Sequence, residues 1–258
     1  MSKFLLAIDV GNSNITFGFF KNDDIVEKFR TITRKMSVDE LGLWLTSAIE
    51  YTKFSFRKLD AVIVSCVVPS QTETIKKMSQ KYLKCEPIFI SAKEIKNYIP
   101  ISYMDLNQIG SDRLANAAAI YGKYKSKVII IDFGTATTFC LISPESEFLG
   151  GCIVPGFEIS LNALYEKAEK LCPIDFKIPD KIIANNTADG ICGGIFYGYC
   201  ALVDGIIKRM LDEIGFRVRV IATGGCLDLL IGGIGSIDEV IPDLTLLGLK
   251  TIFKKKWL

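Results

Sequence analysis

A short pattern stands twice in this chain, about half its length apart, and the repeat narrows the possible folds more than any other feature. An apolar run ends in an aspartate, and two residues later a glycine opens a stretch of small hydroxyl or amide residues. The first copy is Leu6-Ala7-Ile8-Asp9-Val10-Gly11-Asn12-Ser13-Asn14; the second is Ile129-Ile130-Ile131-Asp132-Phe133-Gly134-Thr135-Ala136-Thr137. The likeness continues downstream, where 15–20 aligns with 138–143 and a third apolar segment follows in each half. A repeated strand–turn–strand with a carboxylate at each strand end predicts two related α/β domains facing one another across a cleft. Two such turns could hold a nucleotide triphosphate and its metal.

Composition removes several alternatives. The chain has 258 residues, 49% hydrophobic and 23% charged, a globular makeup on the apolar side and long enough for one large or two medium domains. With a net charge of +2, nothing in the balance suggests nucleic acid, and Lys254-Lys255-Lys256 reads as a solvated tail. The apolar stretch after Lys3 stops at Asp9, too short for a signal-peptide core, and no run approaches the ~18 apolar residues of a membrane span. A cytoplasmic protein with no membrane contact is expected. The eight cysteines contain no Cys-x-x-Cys spacing and fit reduced thiols better than disulfides or a zinc site. Histidine is absent. That excludes imidazole bases, His ligands and His triads together, so carboxylates, hydroxyls, backbone amides and cations must carry any chemistry.

Periodicity supplies the elements. Strands are expected at 4–9, 15–20 and 25–31, separated by Gly-Asn-Ser-Asn and Lys-Asn-Asp-Asp turns. A helix at 38–51 has Ser37 as its N-cap and Glu40 closing a capping box. A buried parallel strand follows at 61–67, then a helix at 71–83, a short strand at 87–90 and an alanine-rich helix at 114–124. The second half repeats the scheme with strands at 127–132, 138–143 and 148–154 and a helix at 159–171. A glycine-rich helix follows at 190–215, then a strand at 218–222. Thr223-Gly224-Gly225 after that strand would let backbone approach a ligand closely, as at a nucleotide's adenosine. Strand–strand–strand–helix–strand, twice over, is the order of the ribonuclease-H-like unit of actin, sugar kinases and heat-shock ATPases. The division is expected near the alanine-rich helix, giving domains at 1–117 and 118–258.

Four segments could carry chemistry. Gly11, Asn12 and Ser13 can aim backbone N–H groups at phosphate oxygens, with Asp9 as a hard ligand for Mg²⁺; the alternative is a plain tight turn. No Gly-x-x-x-x-Gly-Lys-[Ser/Thr] stretch marks a P-loop. Gly110-Ser111-Asp112-Arg113 reads either as an ordinary cap before a helix or as a base, Asp112, beside an anion-binding Arg113. The Gly150-Gly151 and Pro155-Gly156 pairs either turn the chain or expose donors to a substrate. Thr187 is either a helix-entry cap or a substrate hydrogen bond.

Taken in order, Asp-Val-Gly-Asn-Ser at 9–13, Gly-Ser-Asp-Arg at 110–113, Asp-Phe-Gly-Thr-Ala-Thr-Thr at 132–138, Leu-Gly-Gly-x-Ile-x-Pro-Gly at 149–156, Asn-Thr at 186–187 and Thr-Gly-Gly at 223–225 resemble type III pantothenate kinases across essentially the whole chain. Ser13 stands where that family usually has threonine and keeps the hydroxyl. Near Leu171-Cys172-Pro173 the family usually has Leu-Pro. The resemblance implies an actin-like ATPase fold and transfer of the ATP γ-phosphoryl group to pantothenate's primary hydroxyl, the first step of coenzyme A synthesis. It further implies that Asp9, Val10, Gly11, Asn12, Ser13, Asn14, Ile15, Thr16 and Thr135 contact ATP, with Mg²⁺ at Asp9. Asp112 would accept the proton, and Asp132 would hold a monovalent cation, K⁺ or NH₄⁺. Tyr103, Gly110, Ser111, Asp112, Arg113 and Thr187 would line the pantothenate site of a homodimer. Competing readings are a non-catalytic nucleotide-binding regulator related to these kinases, against which retention of the three aspartates speaks, and a sugar or acetate kinase, whose substrate loops are longer.

Overall fold

The computed structural model describes residues 4–52, 59–98, 100–101, 103, 105–145, 147–168 and 170–257. They fall into two units: Met1–Lys123 with Glu145–Phe148 and Leu244–Leu258, and Tyr124–Pro144 with Leu149–Asp243. Each unit is built on one five-stranded mixed sheet of the same strand order.

In unit 1, β1 (Phe4–Val10), β2 (Asn14–Lys21) and β3 (Asp24–Ile32) form an antiparallel meander. The chain then crosses through α1 (Val38–Glu50) to β4 (Ala61–Cys66), which runs parallel beside β1. Ser37 caps α1 as its pattern requires, its hydroxyl accepting from the Glu40 N–H at 3.1 Å. Pro69 opens α2 (Pro69–Met78), where its missing N–H costs nothing. The expected helix at 71–83 continues only as a π-helical turn, Ser79–Leu83, before Lys84 takes a left-handed conformation. β5 (Pro87–Phe89) completes the sheet, and α3 (Ala92–Ile95) and α4 (Ser111–Ala119) follow. Leu6, Ile8, Phe17 and Phe19 meet Leu41, Leu45, Ile75 and Met78 in the core beneath this sheet.

Unit 2 repeats the plan with β6 (Val128–Phe133), β7 (Ala136–Ile142), β8 (Phe148–Pro155), α5 (Phe157–Lys167), α6 (Thr187–Ile214), β9 (Arg219–Thr223), α7 (Leu227–Leu230) and β10 (Glu239–Val240). Its core gathers Ile129, Ile131 and Phe139 of the sheet with Phe196, Val203 and Ile207 of α6. By length and composition α6 contains an 18-residue window apolar enough to cross a bilayer, with a mean hydropathy of 1.5. This corrects the expectation that no segment approaches a membrane span: glycine and alanine spread the apolar residues without ending the helix. Its inward side chains pack into the unit 2 core, as those of a core helix do. All eight cysteines are free thiols.

Two expectations shift. The units differ from 1–117 and 118–258, because 118–123, 145–148 and 244–258 group with unit 1. The cause of the last is α8 (Leu244–Trp257), which crosses α4 so closely that a Cβ on Gly248 would run into the Ala115 backbone. Thr245 Oγ1 also donates to Asn116 Oδ1 at 2.9 Å. Gly248→Val is therefore expected to lower the melting temperature through overpacking, at a cost of about 1–3 kcal/mol, measured by thermal unfolding.

The second shift concerns the repeat. Asp9 pairs with Thr16 across its hairpin, whereas Asp132 pairs with Thr138. The second turn is one residue shorter, so an ungapped alignment of 15–20 with 138–143 is out of step by one. Thr16 and Thr138 are the equivalent residues.

Candidate active site

In unit 1 the expected residues converge at one end of the sheet. Asp9, half-buried near the end of β1, lies opposite Thr16 on β2 and in parallel register with Ser65 on β4. The turn after it is stitched closed: Gly11 N–H donates to the Asn14 carbonyl at 2.9 Å. Thr33 then anchors it from outside, its hydroxyl donating to the Gly11 carbonyl at 2.6 Å and its N–H to the Ser13 carbonyl at 2.9 Å. Because a peptide is planar and trans, a Gly11 carbonyl aimed at Thr33 sends the Asn12 N–H the opposite way. Val10 and Ile15 bury their side chains fully in the core, so they can offer a ligand only backbone. Asn12 is exposed, and Ser13, Asn14 and Thr16 are half-buried.

The Gly110–Arg113 segment sits beside this turn. Val67 N–H donates to the Val10 carbonyl at 3.0 Å, carrying the β4 end past β1 toward α4. The capping alternative for Ser111 and Asp112 is overturned: Gly110 is the N-cap, in extended conformation and without a side-chain cap, and both residues lie inside the first turn. The Ser111 hydroxyl turns inward instead. It accepts from the Cys66 N–H at 2.9 Å and pairs with the Ser65 hydroxyl at 3.0 Å. Ser65 is fully buried and was not foreseen; a serine in a β-branched strand gives no sign that it ties down the next helix.

That tether leaves Asp112 at the helix N-terminus. Its Oδ1 accepts from the Arg113 N–H at 2.8 Å. Burial pushes the Asp112 carboxyl above its ordinary range, opposed by that hydrogen bond and by the Arg113 charge. A Cβ on Gly110 would run into this carboxylate, so a side chain there would displace it. Arg113 is itself buried. Its guanidinium carbon lies 4.8 Å over the Phe148 ring centroid, and Tyr103 meets the same ring at 5.6 Å with a 65° tilt. A partly buried carboxylate beside a buried cation can accept a proton and orient an anion.

Unit 2 holds the remaining residues. Asp132 is half-buried, in register with Thr138 on β7 and Thr223 on β9. Its turn is clamped on two sides. Gly156 N–H donates to the Thr135 carbonyl at 3.0 Å, and a Cβ on Gly156 would run into the Gly134 and Thr135 carbonyls. On the other side Cys226 N–H donates to the Phe133 carbonyl at 3.2 Å, and Gly224, at φ +110°, packs on the Phe133 backbone. These two glycines thus serve the turn through close backbone approach.

Tyr199 of α6 completes the clamp. Its hydroxyl donates to the Pro155 carbonyl at 3.1 Å and lies 2.6 Å from Thr137 Oγ1. A phenol has one proton, so Thr137 is the donor in the second bond. Burial pushes the Tyr199 phenol up, which keeps that proton in place. Tyr199 was also missed, since an aromatic in an apolar helix reads as core. Thr187 is the first residue of α6 rather than its cap; Asn186 holds that position, accepting from the Asp189 N–H at 2.9 Å. Thr187 lines a recess of about 400 Å³ with Leu164, Gly190, Ile191, Gly194 and Ile195.

Two sheets of one strand order, each ending a central strand in an Asp-x-Gly hairpin, define the actin-like ATPase fold. Solved structures share this fold. The (R)-2-hydroxyglutaryl-CoA dehydratase component A of Acidaminococcus fermentans is similar over 98% of this chain and 99% of its own, with a TM-score of 0.60 and 13% identity. The activator of 2-hydroxyisocaproyl-CoA dehydratase from Clostridium difficile, solved with bound ADPNP, is similar over 98% and 96%, with a TM-score of 0.53 and 13% identity. Sequence narrows the class: the family model for type III pantothenate kinase matches residues 5–209. A type III pantothenate kinase of Syntrophus aciditrophicus (strain SB) is 41% identical over 252 residues, 97% of this chain and 99% of that protein. The chain belongs to the type III pantothenate kinase family.

Proposed function

We propose that this protein transfers the γ-phosphoryl group of ATP to the primary hydroxyl of pantothenate, giving 4'-phosphopantothenate. The observation that carries the reading is family membership across nearly the whole chain together with Asp112 held beside Arg113 at the start of α4. Asp112 accepts the hydroxyl proton as the new P–O bond forms and the bond from the γ-phosphorus to the bridging oxygen breaks, leaving ADP. Phosphoryl transfer has a loose transition state and asks mainly for positioning and charge stabilisation, so one placed carboxylate suffices. Arg113 and Tyr103 hold the substrate, its carboxylate on the guanidinium; Gly110 and Ser111 shape that end of the site, and Thr187 contributes a hydroxyl. The turn from Asp9 through Val10, Gly11, Asn12, Ser13, Asn14 and Ile15 to Thr16 offers donors to the ATP phosphates, as does Thr135.

Mg²⁺ enters with the nucleotide. A site supplying one carboxylate plus phosphate oxygens suits an ion that keeps several waters, and Asp9 at a strand end provides that ligand. An Mg²⁺ held there would neutralise phosphate charge. Asp132, beside a turn rich in backbone carbonyls, suits a larger monovalent cation, K⁺ or NH₄⁺. A homodimer is supported by the apolar side chains that unit 2 exposes, among them Ile153, Ile182, Ile183 and Leu202. Sedimentation checks it. A cytoplasmic setting fits this reading.

A coupled assay with ATP and pantothenate, against glucose, acetate and glycerol, tests the substrate. Turnover with pantothenate alone is expected. Equal or better turnover with any of the other three would overturn the assignment.

A further inference from the structure

Phe148 is fully buried, belongs to unit 1 although it opens β8, and touches two residues of the proposed pantothenate site at once. We infer that Phe148 is the positioning residue that fixes Arg113 and Tyr103 for the substrate, its ring seating the guanidinium and its backbone anchoring the segment that carries the tyrosine. The inference rests on the family reading of the site.

Three contacts support it. The Arg113 guanidinium carbon sits 4.8 Å over the ring centroid, within range for a cation–π contact, which is worth most when both partners are desolvated. Arg113 is only 5% exposed, so the condition holds. An aromatic face attracts the charge through its quadrupole without engaging the guanidinium N–H donors as a carboxylate would. The second contact is the tilted Tyr103 ring at 5.6 Å, in the geometry aromatic pairs prefer.

The third contact is backbone. Phe148 N–H donates to the Pro100 carbonyl at 3.2 Å, and Phe148 forms a parallel bridge with Ile101. This ties down the chain two residues before Tyr103. One residue thus sets a cation and an aromatic side chain that come from distant points in the sequence. It touches neither the nucleotide turn at Asp9 nor the chain's acid–base group directly in any of these contacts.

Phe148→Leu keeps an apolar side chain of similar reach and removes the ring face; Phe148→Tyr keeps the face. Steady-state kinetics on the full-length protein, varying pantothenate and ATP separately, with thermal melting alongside, tests the role. Phe148→Leu is expected to raise the pantothenate KM about tenfold while the ATP KM stays within about twofold and Phe148→Tyr stays near wild type on both. A pantothenate KM within about twofold of wild type for Phe148→Leu would overturn the inference. So would Phe148→Tyr as impaired as Phe148→Leu, or both KM values and the melting temperature moving together, since each is what mere packing gives. Wild-type protein without pantothenate turnover would instead overturn the family reading, and this inference with it.

Discussion

Asp112→Asn is expected to lower kcat by about 10²- to 10⁴-fold, the usual worth of a placed general base, while the protein keeps or gains thermal stability. The two halves of this outcome come from one fact. Burial raises the Asp112 pKa, so the folded protein disfavours the charged form; the group's contribution to stability is greater when it is protonated and diminishes as pH rises through the raised pKa. A neutral asparagine removes that cost and still presents an oxygen to the Arg113 N–H. For activity the sign reverses, because only the carboxylate can take a proton. The rate of the wild-type enzyme should fall as pH drops through a pKa above the ordinary carboxylate value of 3.8, and the residual rate of Asp112→Asn should lack that acid limb. Single-turnover rates across pH, with melting curves for both proteins, provide the check. A kcat within a few-fold of wild type, or an unchanged acid limb, would remove Asp112 from the chemistry.

What was legible in the sequence was whatever local pattern decides. Apolar runs broken by Gly-Asn-Ser-Asn or Lys-Asn-Asp-Asp mark strands and turns because turn residues take conformations that strand residues avoid. Ser37 marked the start of α1 because a cap satisfies orphan N–H groups on the spot; the Glu40 carboxylate instead pairs with Arg34. The misses share a different cause. Ser111 and Asp112 look like a cap, yet Gly110 takes that position because the Ser111 hydroxyl has a better partner in Cys66 and Ser65, some forty-five residues earlier. α8 joins unit 1 through its crossing with α4 at Gly248, a tertiary contact with no local signal. Ser65, Tyr199 and Phe148 sit in apolar surroundings and read as core. They are core, and they also aim the residues around them. The residues proposed to carry the chemistry stand out in the repeat and the family motifs, whereas the side chains packed around them do not.

The second large effect is expected at Asp132. Replacing Na⁺ by K⁺ or NH₄⁺ should raise the wild-type rate about tenfold or more, equivalent to ~1.4 kcal/mol, and Asp132→Asn should erase the difference. The argument runs from the turn beside it. Asp132 is the anionic group of a short hairpin whose Phe133 and Thr135 carbonyls are held by the Cys226 and Gly156 N–H groups, and the carboxylate lies against Gly134. Clamped oxygens cannot contract freely around a small ion, and a smaller cation gives up more hydration energy than a rigid ring of oxygens returns. Discrimination by size therefore comes from the clamp, and affinity from the carboxylate charge. Thr135 belongs to the same turn and is proposed to contact ATP, so ordering the turn should show in catalysis. A second readout separates binding from rate. A cation bound only to the folded protein stabilises it by mass action, so wild-type protein should melt higher in K⁺ than in Na⁺ at equal ionic strength, and Asp132→Asn should not. Equal rates and equal melting temperatures in the two salts for the wild type would exclude a cation at this turn.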